Sequence, residues 1–185
     1  MSKDKYQKQW EVISQRMEKV NSEFLSLTYG ALVTQLLKDF EQIDAINSQL
    51  DKMGYNIGIR LVDEFLSKTG IGACAGFQQT AEVVAKLGFR MFLGITADVV
   101  KWNEEETCCS LILHENPLTD FVDLPPSLSQ LHYSNLICGV IRGALEQMKV
   151  NCRFVKDMLK GDDCYEIRLE LIEIVREEFI DDEDS

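Results

Sequence analysis

The apolar residues of this chain change period partway along it, and that change restricts the folds open to it more than any other feature. Between Phe24 and Phe40, Leu25, Tyr29, Leu32, Val33, Leu36, Leu37 and Phe40 recur at three- and four-residue steps, the spacing that lines one face of a helix. A second stripe, Ile46, Leu50, Met53, Ile57, Leu61 and Phe65, keeps the same period. A third helix is predicted over about 77–92, with Phe77, Ala81, Val84, Ala85, Gly88, Phe89 and Phe92 on its stripe and Gly94 placed to end it. The middle then reads differently. Val99-Val100, Cys108 to Leu113 and Phe121-Val122 are short β-prone runs, parted by Asn103-Glu104-Glu105-Glu106 and by Asn116-Pro117. After Pro125-Pro126, Tyr133, Leu136, Ile137, Val140, Ile141, Ala144, Leu145 and Met148 predict a fourth, largely buried helix. Cys152 and Phe154, a turn at Lys160-Gly161-Asp162-Asp163, and the alternation of Tyr165, Ile167, Leu169 and Leu171 with Glu166, Arg168 and Glu170 predict a closing hairpin with one covered face. The order predicts an α+β domain with helices packed on one face of a small antiparallel sheet.

Gly54 and Gly58 lie one turn apart on the second stripe. Each weakens a helix by ~1 kcal/mol against alanine, so the pair predicts the close approach of another helix. With 185 residues, 45% of them hydrophobic, the chain suits one domain with a single core. Residues 1–20, where Trp10, Ile13 and Met17 stand in polar surroundings, read as a flexible or partly helical extension. The domain proper is expected over 21–175. Residues 176–185 form an acidic tail, with Glu177, Glu178, Asp181, Asp182, Glu183 and Asp184 as a solvated charge run.

The formal charge of −12 works against phosphate backbones and anionic lipid as partners, so no nucleic acid partner is expected. The six cysteines, Cys74, Cys108, Cys109, Cys138, Cys152 and Cys164, form no C-x-x-C pair, and no zinc or disulfide framework can be read. Cys108 and Cys109 would point to opposite faces of a strand. The polar stretch from Ser2 through Gln9 holds no signal-peptide core, and no apolar run approaches the ~20 residues of a membrane span; an intracellular, reducing setting is the expectation. P-loop, G-x-G-x-x-G, G-x-S-x-G and H-E-x-x-H motifs are absent, and with His114 and His132 the only histidines no metal site is expected.

One stretch carries chemistry. In Gly70-Ile71-Gly72-Ala73-Cys74-Ala75-Gly76 a cysteine sits among small residues before the third helix, whose small stripe residues Ala81, Ala85 and Gly88 would leave the wall beside it thin. A thiol beside an apolar slot suggests a lipid attachment site, and the partial positive charge of a helix N-terminus favours a thiolate. A small buried hydrophobe is the ordinary use of a free cysteine and stays open as a reading. So does an acyl-thioester hydrolase, or an acyl-binding protein, built on Cys74; the hydrolase would pair it with His114 or His132 through a tertiary contact.

Several blocks together carry a family likeness: Leu27-Thr28-Tyr29-Gly30-Ala31-Leu32-Val33, Leu50-Asp51-Lys52-Met53-Gly54-Tyr55-Asn56-Ile57-Gly58, Asn116-Pro117-Leu118, Tyr133-Ser134-Asn135-Leu136 and Gly139-Val140-Ile141-Arg142-Gly143-Ala144-Leu145-Glu146. Over residues 24–171 the chain resembles the palmitoylated core subunits of the TRAPP (transport protein particle) vesicle-tethering family. The resemblance implies an α/β plait, a palmitoyl thioester on Cys74 as the one cofactor, and an acyl tunnel lined by Ala81, Ala85 and Gly88. It also implies a dimer seam at Gly54 and Gly58, used with other small subunits of the complex in heterodimers and with a second copy when isolated. The implied role is a noncatalytic scaffold with no catalytic residue of its own. It would serve a complex that exchanges nucleotide on a Rab-type GTPase in endoplasmic reticulum to Golgi transport, in the cytoplasm and peripheral at cis-Golgi and endoplasmic reticulum membranes.

Overall fold

The computed structural model describes residues 2–174, with side chains from Lys5 onward; the expected acidic tail lies outside the described residues. Six α-helices and four strands follow in order: α1 (Ser2–Ser14), α2 (Ser22–Asp39), α3 (Ile43–Thr69), α4 (Phe77–Val83), α5 (Phe89–Leu93), β1 (Asp98–Val100), β2 (Cys108–Leu113), α6 (Asn135–Ala144), β3 (Met148–Lys156) and β4 (Tyr165–Ile174). The strands form one antiparallel sheet in the order β1-β2-β4-β3. Its inward residues, Cys109, Leu111, Leu113, Cys152, Ile167 and Leu169 among them, share one apolar core with Val33 and Leu36 of α2, Ile46 and Leu50 of α3, Ala81 of α4 and Ile137 of α6. This is the α+β arrangement expected, helices against one face of a small sheet.

Local chemistry sets the boundaries. The Asn21 side chain accepts the Phe24 amide to start α2, as an N-cap does. Gly70 and Gly94 end α3 and α5 at φ of 63° and 75°, the left-handed region that favours glycine. The predicted third helix is one rod interrupted by a π-turn over Val84–Gly88. In that widened turn the Ala85 carbonyl accepts the Ala97 amide at 3.0 Å, and Lys86 Nζ reaches Ala97 O at 2.6 Å and Asp98 Oδ1 at 2.8 Å. The turn thus ties the rod to β1.

Two expected elements differ. Phe121-Val122 is a turn rather than a strand, because Asn116 caps a 3-10 turn at Pro117–Thr119 and the Val122 amide bonds Thr119 O at 3.0 Å. The fourth helix closes with the Leu145 amide on Ile141 O, so Met148 opens β3 instead of ending a helix.

The glycine pair is explained inside the chain. Gly54 and Gly58 are buried against α6, and α6 answers with Gly139 and Gly143, again one turn apart. A Cβ at Gly54 would stand 2.9 Å from Val140 N, one at Gly58 2.7 Å from Ala144 N, and one at Gly139 2.8 Å from Tyr55 N. The close helix approach expected at Gly54 and Gly58 is therefore real, but its partner is α6 of the same chain. The dimer-seam assignment of these two glycines is corrected accordingly: their faces are already covered. Asp51 pairs with Arg142 along the seam, and Tyr55 Oη donates to Glu146 Oε1 at 2.7 Å.

On the opposite face of the sheet, Glu166 is 2% exposed although the alternation placed it in solvent. Lys101, at φ 56°, brings its Nζ to 2.6 Å from Glu166 Oε2, and Ser110 Oγ donates to Oε1 at 2.7 Å. Desolvation pushes the Glu166 carboxyl up, but the bonds from Lys101 and Ser110 outweigh it and hold the group below the usual carboxylate range.

Two stability measurements follow from these contacts. Gly54→Ala and Gly143→Ala should each lower the urea-unfolding free energy by ~2 kcal/mol or more, because backbone has to move to admit a methyl. Lys101→Met should cost ~2 kcal/mol near neutral pH by leaving a buried carboxylate short of a partner. A carboxyl held low in the folded state stabilises above its unfolded pKa and loses that contribution as pH falls through the folded one. The gap between wild type and Lys101→Met should therefore narrow in acid; a gap independent of pH would remove Glu166 from the account.

Candidate functional site

Cys74 lies in the stretch between α3 and α4 that holds no regular structure. The glycine-rich composition keeps either helix from running through it. The Cys74 side chain is half-buried and packs on a second, smaller apolar cluster, made of Tyr6, Val83 and Leu87 with Trp10, Phe65 and Ile71 beside them. These come from α1, from the end of α3, from α4 and from the π-turn. Tyr6 feels Cys74 directly: burial raises its hydroxyl pKa above the ordinary tyrosine value, and the charges of Glu82 and Cys74 add to that rise. A cleft of about 210 Å³ opens beside the cysteine, bounded by Lys5, Tyr6 and Gln9 of α1, by residues 71–73, and by Gln79 and Val83 of α4.

The structure divides the predicted lining residues. Ala81 and Ala85 are fully buried, but in the main core with Phe77 and Phe89. That i, i+4 stripe is spent on the sheet. Cys74 meets the other side of the rod, through Val83 and Leu87, so Ala81 and Ala85 do not border it in this structure. Gly88 is different. It is half-buried, and a Cβ added there would meet only Val83 O, at 4.0 Å. The π-turn ends at this position, and π-turns are frequent at functional sites. Sequence reasoning missed Val83 and Leu87 because a 3.6-residue period puts them off the apolar stripe, and it missed Tyr6 and Trp10 because α1 is polar overall.

Three of the other cysteines are differently placed. Cys109 and Cys138 are fully buried, and burial together with Cys108 pushes the Cys109 thiol up to about 12. Cys152 is pushed up as well, by burial and by a hydrogen bond with Cys138. Such thiols are poor nucleophiles. Neither histidine serves Cys74: His114 Nε2 lies 3.9 Å from Asp98 Oδ2 at the sheet edge, and His132 Nδ1 lies 3.4 Å from Lys160 Nζ. The cysteine–histidine pair that a thioester hydrolase requires is not assembled. Among the described residues, no group of three or more His, Cys, Asp or Glu is placed to hold a metal ion, and no helix is long and apolar enough to cross a membrane.

The family blocks lie against each other. Tyr29 donates its hydroxyl to Tyr133 O, their rings meeting edge to face at 5.2 Å, and Asn116 Nδ2 donates to Ser134 Oγ at 2.8 Å.

Comparison with known proteins agrees with this arrangement. The family model described as "Transport protein particle (TRAPP) component" matches residues 25–170. The chain is 53% identical over 178 residues to "Trafficking protein particle complex subunit 3" of Dictyostelium discoideum, covering 95% of each chain. It is 42% identical to "Trafficking protein particle complex subunit BET3" of Saccharomyces cerevisiae, over 91% of this chain and 89% of that one. A crystal structure of a trafficking protein particle complex subunit 3 from Naegleria fowleri, covalently bound to palmitic acid, superposes with a TM-score of 0.83 at 56% identity, covering 86% of this chain and 100% of that one. Blocks, fold and relatives agree over nearly the whole domain, and the chain belongs to the transport protein particle (TRAPP) family.

Proposed function

We propose that this chain is a noncatalytic core subunit of a vesicle-tethering complex and carries a palmitoyl group as a thioester on Cys74. The observation that carries the reading is a half-buried thiol set against an apolar cluster, in a chain whose Naegleria relative holds palmitic acid covalently. The acyl chain would leave Cys74 along Val83 and Leu87 and use the space at Gly88. Burying it gains about 0.8 kcal/mol per CH₂ before ordering costs, so the lipid acts as part of the core. The relatives are named as complex subunits, which supports the scaffold role.

Partner pairing, in this reading, uses α2. Phe24 and Leu27 are 68% and 61% exposed on that helix, and Phe121 is 60% exposed beside it. Leu27 and Phe121 line a largely apolar cleft of about 360 Å³ between α2 and residues 118–133. An exposed apolar face of this kind marks an interface. A sister subunit, or a second copy of the isolated chain, covers it. The assembled complex, and not this chain alone, would promote nucleotide release from a Rab-type GTPase in endoplasmic reticulum to Golgi transport at cis-Golgi and endoplasmic reticulum membranes.

Intact-mass spectrometry of the purified protein tests the lipid directly. The expected result is a fraction heavier by one palmitoyl group, lost in neutral hydroxylamine and absent from Cys74→Ser; modification mapped to Cys108 or Cys152 defeats the assignment. Gly88→Leu should stay folded and lose the acylated fraction. Leu27→Glu should shift the isolated chain from dimer to monomer in light scattering, with its melting temperature within a few degrees of wild type. Nucleotide release by the isolated chain, measured beside the reconstituted complex, should be absent; full exchange by the chain alone would overturn the scaffold role.

A further inference from the structure

The N-terminal helix is placed over the one cysteine that the lipid reading uses. Three of its apolar residues, Tyr6, Trp10 and Ile13, recur at i, i+4 and i+7 as a stripe turned toward the body, while Val12 lies off it and is 59% exposed. Tyr6 and Ile13 are 8% and 5% exposed, and Tyr6 and Trp10 pack in the Cys74 cluster. Polar contacts help hold the helix down: Gln9 Nε2 donates to Thr69 O at 3.4 Å, Arg90 Nη1 donates to Gln7 Oε1 at 2.7 Å, and the Arg90 guanidinium stacks on the Trp10 ring at 4.9 Å. α1 therefore bridges the end of α3 to α5 and packs beside the half-buried Cys74.

The same helix is weakly secured. At 13 residues and with a largely polar sequence it is too short to persist as an isolated helix in water, so its structure depends on docking. Among its described residues only Tyr6 and Ile13 are buried, and Gln9, Trp10 and Ser14 are half-buried. The segment 15–21 that joins it to α2 has no regular structure beyond a turn and is exposed except at Met17. An element with few buried contacts and an exposed tether opens locally at low cost.

We propose that α1 is a hinged cover over Cys74: docked, it shields the sulfur from solvent and reagents, and displaced, it admits the acyl donor. In the open state Cys74 Sγ attacks the carbonyl carbon of a long-chain acyl-coenzyme A. The new S–C bond forms as the bond to the coenzyme's sulfur breaks, and coenzyme A leaves as a thiol with the proton that Cys74 gives up. Re-docking of α1 then covers the thioester. Use of the cover in acylation rests on Cys74 being the acylated residue; the cover itself is tested on the bare thiol.

The full-length chain, freed of any thioester with neutral hydroxylamine, is alkylated with iodoacetamide; the sulfur displaces iodide and the thiol proton passes to solvent. Peptide mass spectrometry reads the rate at each cysteine. Half-buried Cys108 is the internal reference, and fully buried Cys138 reports global unfolding. Trp10→Ala should raise the Cys74 rate about tenfold, equivalent to ~1.4 kcal/mol of lost docking, with Cys108 unchanged and Cys138 unmodified. Gln7→Ala, at an exposed position that does not threaten folding, should raise it about threefold and decides the matter if Trp10→Ala exposes Cys138. Unchanged Cys74 rates in the variants that keep Cys138 buried overturn the cover, whether or not Cys74 acylates. A parallel incubation with palmitoyl-coenzyme A separates the two ideas. Faster alkylation in a chain that never acylates leaves the cover standing and defeats the lipid assignment. Faster alkylation without faster acylation, in a chain that does acylate, overturns the gate.

Discussion

Everything in this domain is hung on the crossing of α3 and α6. Four glycines, Gly54 and Gly58 on one helix and Gly139 and Gly143 on the other, let the two backbones meet with no side chain between them. At that distance dispersion and Cα–H to carbonyl contacts replace ordinary side-chain packing. The conformational cost of four helical glycines is offset only if both helices are locked together. What the crossing delivers is placement. α3 ends at Gly70 and hands the chain to the Cys74 stretch, while α6 runs into β3 and so sets the sheet against which the Ala81–Ala85 stripe packs.

The rod formed by α4, the π-turn and α5 then has two duties on two sides. Its i, i+4 stripe, Phe77, Ala81, Ala85 and Phe89, belongs to the main core, while Val83 and Leu87 belong to the small cluster around Cys74. A regular helix would carry these faces forward in fixed phase. The π-turn shifts that phase at Gly88, and its freed carbonyl is taken up by Ala97. The rod is thus anchored to β1 where its wall is thinnest, so space beside Gly88 coexists with a rigid frame.

Polar groups set the limits of this frame. Glu166, buried on the face of the sheet away from the helices, is held by Lys101 and Ser110, and Lys101 accepts a left-handed backbone to reach it. Its burial means that the outer face of the sheet is not a plain solvated surface. α2, in contrast, leaves Phe24 and Leu27 in solvent although its inner face is in the core.

How much was legible depended on whether a signal was local. Helix existence, the strand alternation of 165–171 and the glycine stop at 94 follow from periodicity and backbone stereochemistry, which act within a few residues, and the sequence alone determined them. It also singled out Cys74, because no other cysteine sits among small residues. That Gly54 and Gly58 needed a close neighbour was readable too, yet their partner was not. The answering pair at 139 and 143 lies some eighty residues away, and an interface between copies and one within a chain ask the same of a glycine. The side of the rod that Cys74 touches, the burial of Glu166 and the docking of α1 were decided only by tertiary structure. Each depends on surfaces that meet after the chain has folded, where a polar helix such as α1 gains from a few buried contacts what its own composition does not supply.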